Sequence, residues 1–512
     1  MQKRTLGALG AALVILASSF AANAGAAQRT APTNLRLTPG AATLTASWGV
    51  TSTKGLTGFR LRWRAAPAGA AAGRWSPPME VSAATRQLAI HGLSHQPYEV
   101  KLHAELSSGA GGTIDATGTP LSSEVPQEEP PAKTGVLFVS SGGSDSGVCS
   151  QVAPCRSLAR AYVVAKGGET VQVGEGSYGD SGLPLTSGKS AASPVVFEPA
   201  PGASVRFSKL FNVEARGVEL KDFKFERELY FGETAESDVA RDNALHNFEI
   251  IANGTKAPSK ISIIGGTAGP VADSSDNENN LIATNGPETT AVPTKITIEG
   301  VLIHEYTKVG SAHVDCLQIW AGNELLISGN TFKRCAVFDI FLQSLPNGQA
   351  GTPKNVTIQN NFMEKTIEGF YSVFLPRHNE GNQEHFENVD IRNNSVTQGI
   401  SADPRASYTN VKFDGNIAPS VVFWNEATEV NQAQPAGVES DYNVFYGSGA
   451  KKIGAHDQLT AAGFISESTM NLNLAAGSAA IKHGNPNDFP TTDINGNTRP
   501  TPPDAGAAQY TG

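Results

Sequence analysis

The chain has 512 residues, of which only 17% are charged and 7% aromatic, with 53 glycines and 30 prolines. That composition disfavours a helical bundle and suits many short strands joined by turns. A formal net charge of −9 argues against nucleic acid or an anionic membrane as partner, and leaves room for an acidic polysaccharide that meets a local basic patch.

Residues 1–26 predict a secretory signal peptide. Lys3 and Arg4 open it, Leu6 to Phe20 is apolar, and Ala22-Asn23-Ala24 or Ala24-Gly25-Ala26 offers a small-residue cleavage site. The run is short for a bilayer span, and no later segment reaches the length a spanning helix needs. A secreted or cell-surface protein with no membrane span is therefore expected.

From 31 to 120, apolar residues alternate at Leu44, Ala46 and Trp48, at Phe59, Leu61 and Trp63, and at Tyr98, Val100 and Leu102, with turn residues between the runs. Pro32-Thr33-Asn34-Leu35, Ser47-Trp48, Gly58 to Trp63, Gly92-Leu93, Tyr98-Glu99-Val100 and Gly118-Thr119-Pro120 together resemble a fibronectin type III domain. The resemblance implies a β-sandwich with Trp48 in its core and Tyr98 as a corner tyrosine. Residues 121–135, with Val125-Pro126-Gln127-Glu128-Glu129-Pro130-Pro131, read as a semi-stiff linker.

From 136 to 512 short strands recur. Ile296-Thr297-Ile298-Glu299-Gly300 aligns with strands centred on Ile327, Ile358, Ile391 and Phe413, at steps of 29, 31, 33 and 22 residues. A constant strand with unequal steps predicts a single-chain, all-β solenoid, the right-handed parallel β-helix, whose connecting loops vary in length. Asn330, Asn361, Asn394 and Asn416 close four of these strands. Asn tolerates left-handed backbone at such corners, and its amide can bond to the Asn of the next coil.

Four cysteines suit an oxidising compartment. Cys149 and Cys155 share a Gly/Ser/Pro-rich loop and are expected to be bonded; no His or Cys nearby completes a zinc site. Cys316 and Cys335 lie 19 residues apart, near the length of one coil, and are either paired or separate buried thiols.

Three further stretches resemble secreted bacterial β-helix proteins related in fold to pectate lyases. They are Ser144 to Cys149 with Ala153 to Leu158, His313-Val314-Asp315-Cys316-Leu317-Gln318 with Phe338 to Gln343, and the tail Asp493 to Ala507. The resemblance implies an N-terminal cap with a short helix from Leu158 to Ala165 and a C-terminal closing segment. It includes lyases, hydrolases and proteins without known chemistry, so it implies a fold more than an activity.

Strand alternation would turn Val314 and Cys316 inward and His313 and Asp315 outward, with Asp339 stacked on Asp315 one coil later. Two carboxylates so placed either share a proton or hold a cation, calcium being the candidate. His313, Asp315 and Asp339 are thus the expected catalytic centre, with Lys308, Arg377 and His378 as charge-neutralising or basic groups. Asn-Thr-Asp, Asp-Asp and Arg-Ile-Lys, which polygalacturonase-like hydrolases carry on this fold, are absent. The expected function is a polysaccharide lyase or glycoside hydrolase working in a groove along the solenoid. The alternative is a glycan-binding or adhesive protein that stacks sugars on Trp320, Tyr371 and Trp424.

Overall fold

The computed structural model describes residues 30–511 except 41–42, 67–71, 92, 95, 121–134, 180, 187–188, 274–279, 286–287, 344–351 and 378–383. The expected signal peptide, nearly all of the linker, and His378 lie outside the described residues.

The N-terminal part is a sandwich of two antiparallel sheets. Pro32–Gly40, Thr43–Val50 and Gln87–His91 form one; Met79–Ser82, Leu56–Ala65, Tyr98–Leu106 and Gly109–Gly118 form the other. Alternation drives this, because Leu44, Ala46, Trp48, Phe59, Leu61, Val100 and Leu102 all turn inward and are buried. Trp48 packs edge-on against Phe59 at 5.5 Å. The Tyr98 hydroxyl accepts from the Ser94 backbone N–H at 3.2 Å, the expected corner. The arrangement is that of a fibronectin type III sandwich.

From Val136 onward the chain winds into a parallel β-helix with three strands per coil. Among the described residues these build two twelve-stranded sheets and one ten-stranded sheet. Ile298, Ile327, Ile358, Ile391 and Phe413 pair with one another in succession, in the register the repeat predicted. Their side chains face a continuous interior of Val, Ile, Leu and Phe. Each coil contacts only its neighbours, so the ends need covers. A helix at Leu158–Val164 covers the first end. Ser157 Oγ caps it by accepting from the Arg160 N–H at 3.1 Å, and Leu158, Ala161 and Tyr162 plug the coil.

The asparagine repeat forms a buried ladder. Oδ1 of Asn361 accepts from the backbone N–H and the Nδ2 of Asn330, at 2.8 and 3.0 Å. Asn394, Asn416 and Asn443 repeat the pattern, each on the residue before it. Each Nδ2 also donates to a backbone carbonyl of an earlier strand, as from Asn361 to Ile327 at 3.0 Å. Asp457 takes the last place. Left-handed backbone falls one residue earlier than expected, at Gly329, Asn360, Asn393 and Gly415. The bend is made there so that the next side chain can turn into the stack.

The tail packs along the flank of the last coils, where the Ala507 N–H donates to Ser395 Oγ at 2.9 Å and the Gly506 N–H to the Gly415 carbonyl at 2.7 Å. Arg499 is 5% exposed; its guanidinium donates to the carbonyls of Asp504, Gly506 and Ala507 and to Oδ1 of Asn360, which fastens the tail over the asparagine corner. Cys149 is bonded to Cys155 and Cys316 to Cys335; the second bond ties successive coils where the chain enters the ten-stranded sheet.

Candidate functional site

The ten-stranded sheet carries the expected centre. By alternation, the middle residue of each three-residue strand faces away from the interior. Register links Asn212, Tyr230, Glu249, Leu281, Gln318, Phe341, Phe374 and Ser401 into one outward column. Leu281, Gln318, Phe341 and Phe374 are nevertheless 3–7% exposed, so turns on either side overhang this face.

His313 stands at the edge of that face with a side chain 43% exposed. Its Nδ1 lies 3.3 Å from Oδ2 of Asp315, and the other Asp315 oxygen accepts the Phe338 N–H at 3.1 Å. The imidazole also leans on Phe338 and Phe341, at 5.7 and 5.6 Å between centroids. Phe338 stacks on Phe341 at 4.8 Å and touches Phe370 and Phe374, while Tyr371 touches Phe374. Phe370 is 46% exposed and carries this aromatic surface out to solvent. Sequence reasoning named Tyr371 but missed the phenylalanines. Their signal lay in Val-Phe-Asp-Ile-Phe-Leu and Gly-Phe-Tyr-Ser-Val-Phe, two successive coils that each carry at least two aromatic residues.

The carboxyl groups depart from expectation. Residues 309–316 form the turn that enters the sheet, and the strand begins only at Leu317. Leu317 pairs with Ile340, which sets Asp339 opposite Cys316 rather than Asp315. Both aspartates are completely buried, so neither carboxyl is open to solvent as the outward placement had predicted. Reading the period-2 pattern through a turn is what misplaced them. Burial pushes the Asp339 carboxyl well above its usual range, and Glu364 and Asp315 push it further; nearby Ser372 opposes this only in part. Among the described residues, neither Asp339 oxygen has a hydrogen-bond partner, nor does the Ser372 hydroxyl. Burial thus favours the neutral form of Asp339.

Calcium takes roughly six to eight oxygen ligands, of which Asp315 and Asp339 would supply only a part. Among the described residues, no three His, Cys, Asp or Glu side chains are placed to hold a metal ion.

The expected cations are dispersed. Lys308 lies on Tyr306–Lys308, which pairs with Val271–Asp273, and its Nζ is ion-paired with Glu368. Arg377 is partly buried, and its carbonyl accepts from Arg405 at 3.2 Å. Trp320 is half-buried against a small apolar patch of Ile251, Leu281 and Ala283, and Trp424 packs on the solenoid core.

A second polar cluster, absent from the sequence reading, lies at the start of the same column. Glu249 is 4% exposed and meets Arg74 of the sandwich at 3.5 Å. Glu214 accepts from the Thr234 hydroxyl at 2.6 Å and backbone N–H at 3.0 Å. Burial raises the Glu214 carboxyl to about 7. A Cβ at Gly232 would stand 2.0 Å from the Glu214 carboxylate, so the glycine makes room for it. These residues come from distant strands and from the other domain, which hides them from any local pattern.

No protein-family model matches the chain, and no curated protein matches it either. Among solved structures, the sandwich is similar to the fn3 domain of human collagen alpha-1(XX) chain, at 23% identity over 21% of this chain and 98% of that one, with a TM-score of 0.18. The solenoid is similar to pectate lyase Pel9A, at 15% identity over 73% of this chain and 96% of that one, with a TM-score of 0.40. A rhamnogalacturonan lyase matches at 13% identity over 65% and 90%, with a TM-score of 0.39.

Proposed function

We propose that the chain is a carbohydrate-active enzyme that works on a polysaccharide along the outer face of the ten-stranded sheet, with His313 as the proton-transferring group. The observation that carries this reading is the contact of His313 with buried Asp315 at the rim of an aromatic surface. A carboxylate beside Nδ1 favours the tautomer with its proton on Nδ1, which leaves the Nε2 lone pair free to act as base. Phe370, which is exposed and backed by buried Phe338, offers the apolar side of a sugar ring a place to rest.

Elimination suits this site better than hydrolysis. A glycosidase needs two carboxyl groups flanking the scissile bond, and both aspartates here are buried away from it. In elimination, Nε2 would take the proton next to a uronate carboxyl. Its electron pair would form the ring double bond as the bond to the glycosidic oxygen breaks, and that oxygen would leave carrying a proton from solvent or a nearby acid. Arg377 and Lys308 remain the cations to test for neutralising the uronate.

The test is a panel of polygalacturonate, rhamnogalacturonan and a neutral xylan, following the absorbance of unsaturated products and reducing ends in parallel. Unsaturated product, lost in His313→Ala while binding persists, supports the reading. Reducing ends without unsaturated product would overturn elimination. Binding without turnover of any polymer would leave the second reading, a glycan-binding surface, which the exposed Phe370 favours.

A further inference from the structure

The fibronectin-like sandwich does more than precede the solenoid: it rests on the first coils of the ten-stranded sheet. Leu210, just before the strand Phe211–Val213, packs against the sandwich core. Lys209 Nζ donates to the Glu80 carbonyl at 3.4 Å, and Arg74 reaches Glu249 at 3.5 Å. A Cβ on Gly73 would stand 3.1 Å from Asn253 Nδ2, so the sandwich backbone approaches the solenoid closely. Asn212 and Glu249 face outward from the sheet and are still 9% and 4% exposed, at the end of the column where the sandwich sits.

From Glu249 the column runs through Leu281 to Gln318. Two strand spacings, about 10 Å, therefore separate the Arg74 contact from the strand that carries the His313 turn. Buried Leu281 and Ala283 and half-buried Trp320 lie along that interval. It is the length of a disaccharide, with a protein wall at its far side.

We infer that the sandwich closes one end of the substrate path, so that the protein acts on polysaccharide chain ends and releases short products instead of cutting internal bonds. This rests on the reading of the His313 face as the working site. A polymer threaded through the face would have to pass where Arg74 and Leu210 join the two domains. A terminus, by contrast, can enter from the Phe370 side and stop against the wall.

Arg74 is the point at which to test the wall. It faces Glu249, Tyr230 and Glu228, which hold its guanidinium charged against the cost of burial. Arg74→Glu would set a carboxylate among those acids and weaken the docking; Leu210→Ser does so without charge, should the first variant fold poorly.

With the full chain and whichever polymer of the panel is turned over, reducing ends should accumulate while viscosity hardly falls. In Arg74→Glu or Leu210→Ser, viscosity should fall at least tenfold faster for the same number of bonds cut. An immediate collapse of viscosity with the unaltered protein overturns the inference. Independently of turnover, Trp320 fluorescence should report oligogalacturonides with one free end. Those bulkily capped at both ends should bind at least tenfold more weakly, with the difference erased in Arg74→Glu. Equal binding of doubly capped and free oligomers overturns the closed end and leaves the His313 reading intact. If oligomers of no polymer of the panel bind or react, both readings fall.

Discussion

His313 Nδ1 stands 3.3 Å from an Asp315 oxygen whose carboxylate is anchored from the other side by the Phe338 N–H. That N–H belongs to the next coil, so the orientation of the imidazole depends on the packing of two coils. Asp315→Asn should lower turnover about 10²- to 10⁴-fold, because the amide no longer selects the tautomer with Nε2 free. KM should change little and the acid limb of the pH profile should move. An unchanged profile together with a lower melting temperature would mean that Asp315 serves the fold alone.

Asp339 predicts a sign. Its folded pKa lies well above the unfolded value, so the folded state keeps the proton longer. Stability from this group is therefore fullest in acid and declines as pH rises from about 4 toward the folded pKa. Asp339→Asn removes that decline, because an amide does not ionise. The variant should melt higher than the parent at neutral to mildly alkaline pH and nearly the same at about pH 4. A lower melting temperature at pH 8 would refute this.

Glu214 carries the same sign over a narrower window. Its carboxyl titrates near 7 in the folded state against an ordinary value of 4.5, so stability is lost between those values as pH rises. Glu214→Gln keeps an acceptor for Thr234 and should recover on the order of 3 kcal/mol at pH 8. Denaturant unfolding at pH 5 and pH 8 would measure it, the gain appearing only at the higher pH.

The Cys316–Cys335 bond closes a loop of 19 residues between coils. Changing both cysteines to serine should cost about 3 kcal/mol, the loop-closure value for a ring of that size. The loss should be accompanied by weaker turnover, since His313 sits three residues from Cys316. Stability unchanged in the double variant would show that coil packing alone holds the turn.

Asn361 has four hydrogen bonds inside the ladder. Asn361→Ala orphans the buried Asn330 N–H and the Ile327 carbonyl and should cost roughly 2–4 kcal/mol. A second ladder, Asn323, Asn355, Asn388 and Asn410, runs along the exposed edge at 2.6–2.8 Å spacing of donor and acceptor. Asn323→Ala there, at a residue without left-handed backbone, should cost under about 0.5 kcal/mol. Equal losses at the two sites would contradict the role of burial.

The strand core from Ile298 to Phe413 was legible because a solenoid repeats one local rule, and the pairings carry that rule from coil to coil. The Leu158 cap helix and the asparagine stack followed from equally local signals. His313 and Asp315 were found together because two residues of one turn stay near each other however it folds. Asp339 went wrong because its direction depends on where the turn ends and the strand begins, a single-residue matter that alternation cannot fix. Arg74, Glu214 and Glu249 were invisible because they are joined only by docking of separate domains.

Asp457 ends the asparagine stack with a residue that can accept but not donate. One of its oxygens takes the N–H and the amide of Asn443, and the other takes the backbone N–H groups of Ile453 and Gly454. Every asparagine before it accepts from the residue behind and donates to the one ahead, so each corner invites another. A stack with that property has no intrinsic length and could continue into a second molecule, as fibres do. The carboxylate turns its last free oxygen back on its own chain, and the solenoid thereby carries its own chain terminator.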